Sequence, residues 1–269
     1  MSQHHSNVKQ LSIVDLQQMK HKAEKISCLT AYDASFSALL DNADIDIILV
    51  GDSLGMVIQG NETTLAVTLT DMIYHCRCVV DARQRAFVVA DLPFMSYPTP
   101  LIAAENSAQL MQQGRAQMVK LEGTRLEIIE FLVEQGIPVC GHLGLLPQSI
   151  NQLGRYLIQG KDKQQADKIL ADALAVEKAG ASLLVVECVP ASLAQKISEQ
   201  LTIPVIGIGA GVDCDGQVLV LYDMLNISLG KRPKFSKDYL TDNIDIEAAV
   251  KAYINEVKQG TFPSLEHSF

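Results

Sequence analysis

Four apolar runs in this chain each end in a lone charged group: Ile47-Ile48-Leu49-Val50-Gly51-Asp52-Ser53, Phe87-Val88-Val89-Ala90-Asp91, Met118-Val119-Lys120-Leu121-Glu122 and Leu183-Leu184-Val185-Val186-Glu187. A carboxylate at the end of a buried run must be paired, hydrogen-bonded, bound to a metal or neutralised, because burying it alone is costly. Four such ends in one chain imply one polar site where several parallel strands stop. That is the layout of a (β/α)8 barrel (TIM barrel), whose strands end together at a single mouth.

The order of segments agrees. Pattern and composition predict strands over 26–31, 45–52, 86–92, 118–122, 138–143, 182–188 and 204–209, with a weaker eighth over 224–227. Helices are predicted over 34–42, 69–83, 100–113, 126–135, 164–179, 191–201 and 216–222. Alternation of this kind implies a parallel sheet. Glycines 114, 136 and 180 fit helix ends ahead of the next strand. The chain is 48% hydrophobic but has no Trp and only 5% aromatic residues. Its core is therefore aliphatic, as suits strands covered by helices on both faces. A closed barrel takes about 250 residues, so residues 1–269 are read as one domain. Within it, 1–25 hold a polar, loose start to about Asn7 and a leading N-terminal helix that plugs the barrel, with Ser12 or Asp15 available as cap. Residues 231–269 hold a C-terminal helix and tail. No G-x-G-x-x-G opens a helix after the first strand, which weakens an open dinucleotide-binding sheet. Gly207-Ile208-Gly209-Ala210-Gly211 fits a tight strand exit or a close approach to a ligand equally well.

Acidic residues outnumber basic ones 31 to 22, for a net charge of −9. No basic stripe of the kind nucleic-acid binders carry is present. The short run Lys231-Arg232-Pro233-Lys234 reads as a solvated loop. The expected partners are small molecules, with neither nucleic acid nor membrane among them. The six cysteines form no C-x-x-C pair and mostly sit in apolar runs, which reads as reduced thiols. The start of the chain lacks an apolar signal region, and no apolar stretch reaches the length of a membrane span. A cytoplasmic location is expected.

Strand geometry then groups the chemistry. Side chains two apart on a strand share a face, so Lys120 points with Glu122 and Cys140 with His142. Asp52, Asp91 and Glu122 end three consecutive strands. Their hard oxygens, with water completing the shell, suit Mg2+, Glu122 binding directly or through water. Zinc is disfavoured, because His142 is the only strand-end histidine and no Cys/His spacing matches a zinc motif. Glu187 sits among Val185, Val186, Cys188 and Val189, surroundings that suit acid/base work. Cys140 reads as an inert core thiol and His75 as a packed or capping residue.

The same segments resemble the ketopantoate hydroxymethyltransferase family. The likeness lies in Leu49-Val50-Gly51-Asp52-Ser53-Leu54-Gly55, Ala90-Asp91-Leu92-Pro93-Phe94-Met95, Val119-Lys120-Leu121-Glu122-Gly123, Cys140-Gly141-His142-Leu143-Gly144-Leu145, Glu187-Cys188-Val189-Pro190 and Ile206-Gly207-Ile208-Gly209-Ala210-Gly211. It runs from about Thr30 to the terminal Glu266-His267-Ser268-Phe269. Tyr222 stands where the family pattern has His, and Arg155 where it has Gly. The resemblance implies an Mg2+-dependent barrel of pantothenate biosynthesis. It would transfer a hydroxymethyl group from 5,10-methylenetetrahydrofolate to 3-methyl-2-oxobutanoate through a Mg-stabilised enolate, giving 2-dehydropantoate and tetrahydrofolate. Carried over, Asp52, Asp91 and Glu122 are metal-site residues. Asp52, Ser53, Asp91 and Lys120 bind the keto acid, and Glu187 accepts the proton. His142 is assigned to an oxygen of substrate or product from its place on the strand. The family also implies a homo-oligomer, commonly a decamer.

Two rivals stand beside this reading. One is an Mg-dependent lyase or mutase of the phosphoenolpyruvate/isocitrate-lyase type, which shares the barrel and the enolate chemistry but calls for more arginine near the site. The other is a silent binding protein on the same barrel, which has no need of Asp52, Asp91, Lys120, Glu122 and Glu187 together.

Overall fold

The computed structural model describes residues 9–269, so the expectation of a loose start over residues 1–7 lies outside the described residues. Eight strands close into a parallel barrel in chain order: β1 (Ile26–Thr30), β2 (Ile47–Val50), β3 (Phe87–Asp91), β4 (Met118–Glu122), β5 (Val139–Gly144), β6 (Leu183–Glu187), β7 (Val205–Ile208) and β8 (Gly216–Leu219). The helices are α1 (Ile13–His21), α2 (Ala34–Asn42), α3 (Leu54–Val57), α4 (Leu69–Ala82), α5 (Pro100–Gln112), α6 (Leu126–Glu134), α7 (Ile150–Leu153), α8 (Lys163–Lys178), α9 (Ala191–Gln200), α10 (Leu221–Met224) and α11 (Ile246–Lys258).

The strand pleat sorts the apolar residues into two cores. Alternate residues such as Ile47, Leu49, Phe87, Val89, Met118, Leu183 and Val185 fill the barrel interior. Their neighbours, among them Ile48, Val50, Val88, Val119, Leu184 and Val186, pack outward against the helices. The inward rows then run on into polar residues. Phe87 and Val89 lead to Asp91, Met118 to Lys120 and Glu122, Cys140 to His142, and Leu183 and Val185 to Glu187. Period-two geometry therefore carries each charge to the same end of the barrel.

The eighth strand lies earlier than the sequence pattern places it. Residues 224–227 are not a strand, and the segment expected to be helical from 216 begins with β8, Gly216–Leu219, which pairs with β1 on one side and β7 on the other. Helical-looking spacing over 216–222 is overridden by non-local pairing, since this short strand has to close the ring. A Cβ on Gly216 would stand 2.3 Å from the Ile26 carbonyl oxygen, so the closing seam requires a glycine there. The outer cover of the seam comes from α11, because α10 is a single turn. Tyr253 on α11 is fully buried and shares its hydroxyl hydrogen between the Cys28 and Gln217 carbonyls, at 2.9 Å each.

At the opposite end, α1 plugs the barrel. Ser12 starts it with a reciprocal cap: its Oγ accepts from the Asp15 N–H while the Asp15 carboxylate accepts from the Ser12 N–H. Leu16 is wholly buried within the interior core, a burial worth about 2 kcal/mol. Among the described residues no helix is long and apolar enough to cross a membrane.

Candidate active site

All seven residues singled out in the sequence, Asp52, Ser53, Asp91, Lys120, Glu122, His142 and Glu187, line one cavity of about 830 Å³ at the C-terminal end of the barrel. Asp91 and Lys120 are register partners on β3 and β4, and Lys120 Nζ donates to Asp91 Oδ1 at 2.6 Å with both side chains buried. Burial works against the Lys120 charge, but Asp91, Asp52 and Glu122 outweigh it and hold its pKa above the ordinary lysine value. Asp52 follows β2 and turns back toward Asp91, whose Oδ2 accepts from the Asp52 N–H at 3.1 Å. Burial first, then the Asp91 and Glu122 charges, push the Asp52 carboxyl up to about 8. Ser53 precedes α3 without capping it, and its Oγ lies 2.8 Å from the Tyr32 hydroxyl.

Glu122 and His142 are register partners on β4 and β5. The imidazole stands between two carboxylates: Nδ1 is 3.6 Å from Glu122 Oε1 and Nε2 is 3.2 Å from Glu187 Oε2. Neither ring nitrogen has an aligned hydrogen bond among the described residues, so the contacts act through charge. Burial and Lys120 oppose protonation of His142, yet Glu122 and Glu187 prevail and raise its pKa to about 9. Glu187 is thus paired with His142 rather than set among valines alone. Its backbone is fixed by β5. Gly144 pairs with Glu187, and a Cβ on Gly144, which sits at φ +92°, would stand 2.2 Å from the Glu187 carbonyl oxygen.

Sequence pattern missed the residue that ties these groups together. Gln148, on a 3-10 turn over Pro147–Ser149, donates from Nε2 to Asp52 Oδ2 (2.8 Å) and to the Leu92 carbonyl (3.0 Å). Its backbone N–H donates to Glu122 Oε2 at 3.1 Å, and its Oε1 accepts from the Tyr97 hydroxyl at 2.5 Å. Both Gln148 and Tyr97 come from loops after strands, where no periodicity marks them. The other readings divide. Cys140 is buried, and burial pushes its thiol up to about 12, which fits an inert cysteine. His75 Nδ1 is anchored at 2.7 Å to the Tyr32 carbonyl. The six cysteines are all free thiols. Of the Gly207-to-Gly211 segment only Ile208 lines the cavity, and its glycines pack against Cys214, Phe235 and Ala191, as a tight exit requires. Tyr222 packs on Tyr32 and Phe36, with ring centroids 5.9 and 5.8 Å away. The run from Lys231 to Lys234 is not simply a solvated loop, since it borders the cavity.

Among the described residues no group of three His, Cys, Asp or Glu side chains is arranged to enclose a metal ion. Mg2+ asks for less: it is commonly held by one or two carboxylates, with water and substrate oxygens completing the shell. Asp52 and Asp91 offer such a pair. Burial beside Asp91 and Glu122 keeps Asp52 protonated up to about pH 8, and a divalent cation would displace that proton and supply the positive charge these carboxylates lack. The donor set therefore fits Mg2+.

Comparison with known proteins gives a consistent picture. The model of the ketopantoate hydroxymethyltransferase family matches residues 10–265. The chain is 56% identical over 261 residues to 3-methyl-2-oxobutanoate hydroxymethyltransferase of Nitrosococcus oceani, covering 96% of this chain and 99% of that one. It is also 56% identical to the protein of that name from Methylococcus capsulatus, covering 96% of this chain and 97% of that one. Among solved structures, phosphoenolpyruvate phosphomutase from Streptomyces platensis superposes with a TM-score of 0.59 at 12% identity, covering 80% of this chain and 83% of that one. That likeness speaks to the fold alone.

Proposed function

This chain belongs to the ketopantoate hydroxymethyltransferase family and is, by its relatives, a 3-methyl-2-oxobutanoate hydroxymethyltransferase; from that premise we propose that it serves pantothenate biosynthesis and that its residues divide the reaction as follows. The co-substrate is 5,10-methylenetetrahydrofolate and the products are 2-dehydropantoate and tetrahydrofolate. The observation that carries the assignment of roles is the buried Lys120–Asp91 pair beside Asp52, with the His142–Glu187 pair across the same cavity.

The keto acid enters with its carboxylate toward Lys120 Nζ and the Ser53 hydroxyl. Mg2+ would be held by Asp52 and Asp91, with Glu122 beside them, and when bound it would polarise the keto oxygen and offset the charge that develops there. Glu187 Oε2 takes the proton from the third carbon of the keto acid. His142, 3.2 Å away, orients that carboxylate before the transfer, and its other face is set by Glu122. The resulting enolate carbon attacks the methylene carbon of the folate. Both C–N bonds to that carbon break, water supplies its hydroxyl group, and the proton taken by Glu187 together with the remaining proton of the water go to the two folate nitrogens as tetrahydrofolate leaves. The apolar barrel core beneath Lys120, built from Leu49, Val89 and Val185 among others, keeps bulk water from the floor of the site. The proposal extends to a cytoplasmic homo-oligomer, for which light scattering on the purified protein is the direct measurement.

The test is release of tetrahydrofolate from 5,10-methylenetetrahydrofolate. Release should require both 3-methyl-2-oxobutanoate and Mg2+, and should stop on chelation with EDTA and resume on adding Mg2+. Turnover of phosphoenolpyruvate or isocitrate with none of the keto acid would overturn the proposal in favour of the lyase/mutase reading. The scarcity of arginine at the site, with Arg232 alone lining the cavity among the described residues, weighs against that rival.

A further inference from the structure

The cavity is sorted by charge with depth. Lys120, Asp52, Asp91 and Glu122 lie buried at the floor, Glu187 is half-buried beside them, and one further acid, the half-buried Asp223 of α10, lines the cavity while accepting from the Ser228 hydroxyl. Its other cations, Lys161, Lys231, Arg232 and Lys234, come from the loop ahead of α8 and from the segment between α10 and α11. The three lysines among them are exposed. Arg232 is engaged, with Nη1 3.3 Å from Asp238 Oδ2. Lys234 donates to the Ser268 carbonyl at 3.1 Å and lies over the Phe269 ring, contacts that orient the ammonium without neutralising it. Lys161 and Lys231 have no ion-pair partner among the described residues. In a chain of net charge −9, three uncompensated ammonium groups around one opening form a local field that favours anions.

The keto acid cannot account for them. It is short, carries one carboxylate, and finds Lys120 at the floor. The cavity, about 830 Å³, has room for a second and longer ligand. The folate of the proposed reaction is polar at both ends, with the reactive methylene at its pterin end and its carboxylates at the glutamyl end. Attack by the enolate requires the pterin end to lie inward, which sends the carboxylates outward to the rim. We infer that Lys161, Lys231 and Lys234 receive the glutamyl carboxylates of the folate co-substrate, and that the enzyme favours polyglutamyl over monoglutamyl folate because each added γ-glutamyl residue brings another carboxylate to the rim. The inference rests on the function proposed above.

Two readouts test it on the full-length enzyme. Calorimetric titration with monoglutamyl and triglutamyl tetrahydrofolate measures binding without turnover, and steady-state kinetics give KM for each methylene form. The wild type should bind the triglutamyl form roughly tenfold more tightly, since exposed ion pairs are individually weak and only their sum is measurable. That preference should shrink in 0.5 M salt. Lys161→Ala/Lys231→Ala should remove most of it and raise KM for the triglutamyl form, with KM for the keto acid moving less than twofold. The conservative pair Lys161→Arg/Lys231→Arg should restore the preference. Equal affinity of the wild type for both folates, or a preference unchanged in the alanine pair, would overturn the inference while leaving the reaction in place. Absence of folate-dependent turnover altogether would remove the proposed function, and the inference with it.

Discussion

The two ends of the barrel bury the same kind of residue and treat it in opposite ways. At the N-terminal end Asp46 is buried and saturated. Its carboxylate accepts from the Ser27 N–H and hydroxyl at 2.9 Å each, from Arg85 Nη2 at 3.2 Å, and from Lys258. Nearby Asp215 accepts from Lys20 Nζ (2.7 Å), the Val205 N–H (2.8 Å) and the Ser198 hydroxyl (3.2 Å). At the C-terminal mouth, Asp52, Asp91 and Glu122 share one cation, Lys120, and His142 sits between two acids without an aligned bond. The lower end spends its charges on holding α1, α11 and the strands together. The mouth keeps more acids than cations, so that Asp52 holds its proton up to about pH 8 and gives it up readily only when a cation arrives. A buried charge with all partners present is structural, whereas a buried charge with partners missing is waiting for a ligand.

The sharpest break between the ends comes from Glu187→Gln. The amide keeps the shape of the side chain and loses the base, so turnover should fall about a thousandfold, within the range for general base catalysis. Keto-acid binding, read by calorimetry, should persist, and thermal stability should change little. Near-normal turnover in this variant would take Glu187 out of the proton-transfer role.

A paired substitution carries the contrast into stability. Asp46→Ala leaves Lys258 and Arg85 without their shared acid and should cost about 3 kcal/mol in denaturant unfolding, at the low end for a broken buried pair because both cations are partly solvated. The keto-acid KM should not move. Asp52→Asn at the mouth should do the reverse, leaving stability unchanged or slightly higher and abolishing Mg2+-dependent turnover. Two losses of equal size would erase the distinction between the ends.

How much of this was legible in the sequence follows the same division. The first seven strands announce themselves as apolar, β-branched runs, and period-two spacing alone brings Asp91, Lys120, Glu122, His142 and Glu187 to one mouth. The eighth strand does not, because Gly216-Gln217-Val218-Leu219 has neither length nor a β-branched run, and its identity depends on partners nearly 200 residues away. Gln148 and Tyr97 escape for a related reason: loop residues acquire their roles only when tertiary packing delivers them. The basic run at Lys231 was visible as composition, but its position at the cavity rim was not, since nothing local in the chain says which way a loop folds over the barrel.

The pH dependence of stability gives a gentler test. The Asp52 carboxyl has its folded pKa raised from 3.8 to about 8, so its contribution is fully present below about pH 4 and is lost as pH rises through 8. His142, raised from 6.5 to about 9, adds a contribution present below 6.5 and lost by about 9. Metal-free protein should therefore lose stability between pH 6.5 and 9. A fixed Mg2+ concentration equal to a hundred times the Kd at pH 8.5 should return about 2.7 kcal/mol there, and less at pH 6.5, because the metal binds the ionised carboxylate. Calorimetric Tm across this range, with and without Mg2+, measures the effect, and Asp52→Asn should flatten the metal-free slope. A Tm that rises from pH 6.5 to 9 without metal would contradict the account of the mouth as a site of surplus acids.

The smallest expected effect probes whether the ends are truly separate. Ser12→Ala removes the side-chain half of the reciprocal cap on α1 and should cost about 1 kcal/mol, seen as a lower Tm. Between that helix and Lys120 stand the interior layers of Cys28, Ile47, Phe87, Met118 and Val218, apolar side chains that transmit packing but carry no charge. Loosening the plug should therefore leave the keto-acid KM, the pH profile and the Mg2+ requirement unaltered. If any of these moved with Ser12, the interior layers would be coupling the ends, and the acid surplus at the mouth would have to be read as a property of the whole barrel rather than of its strand ends.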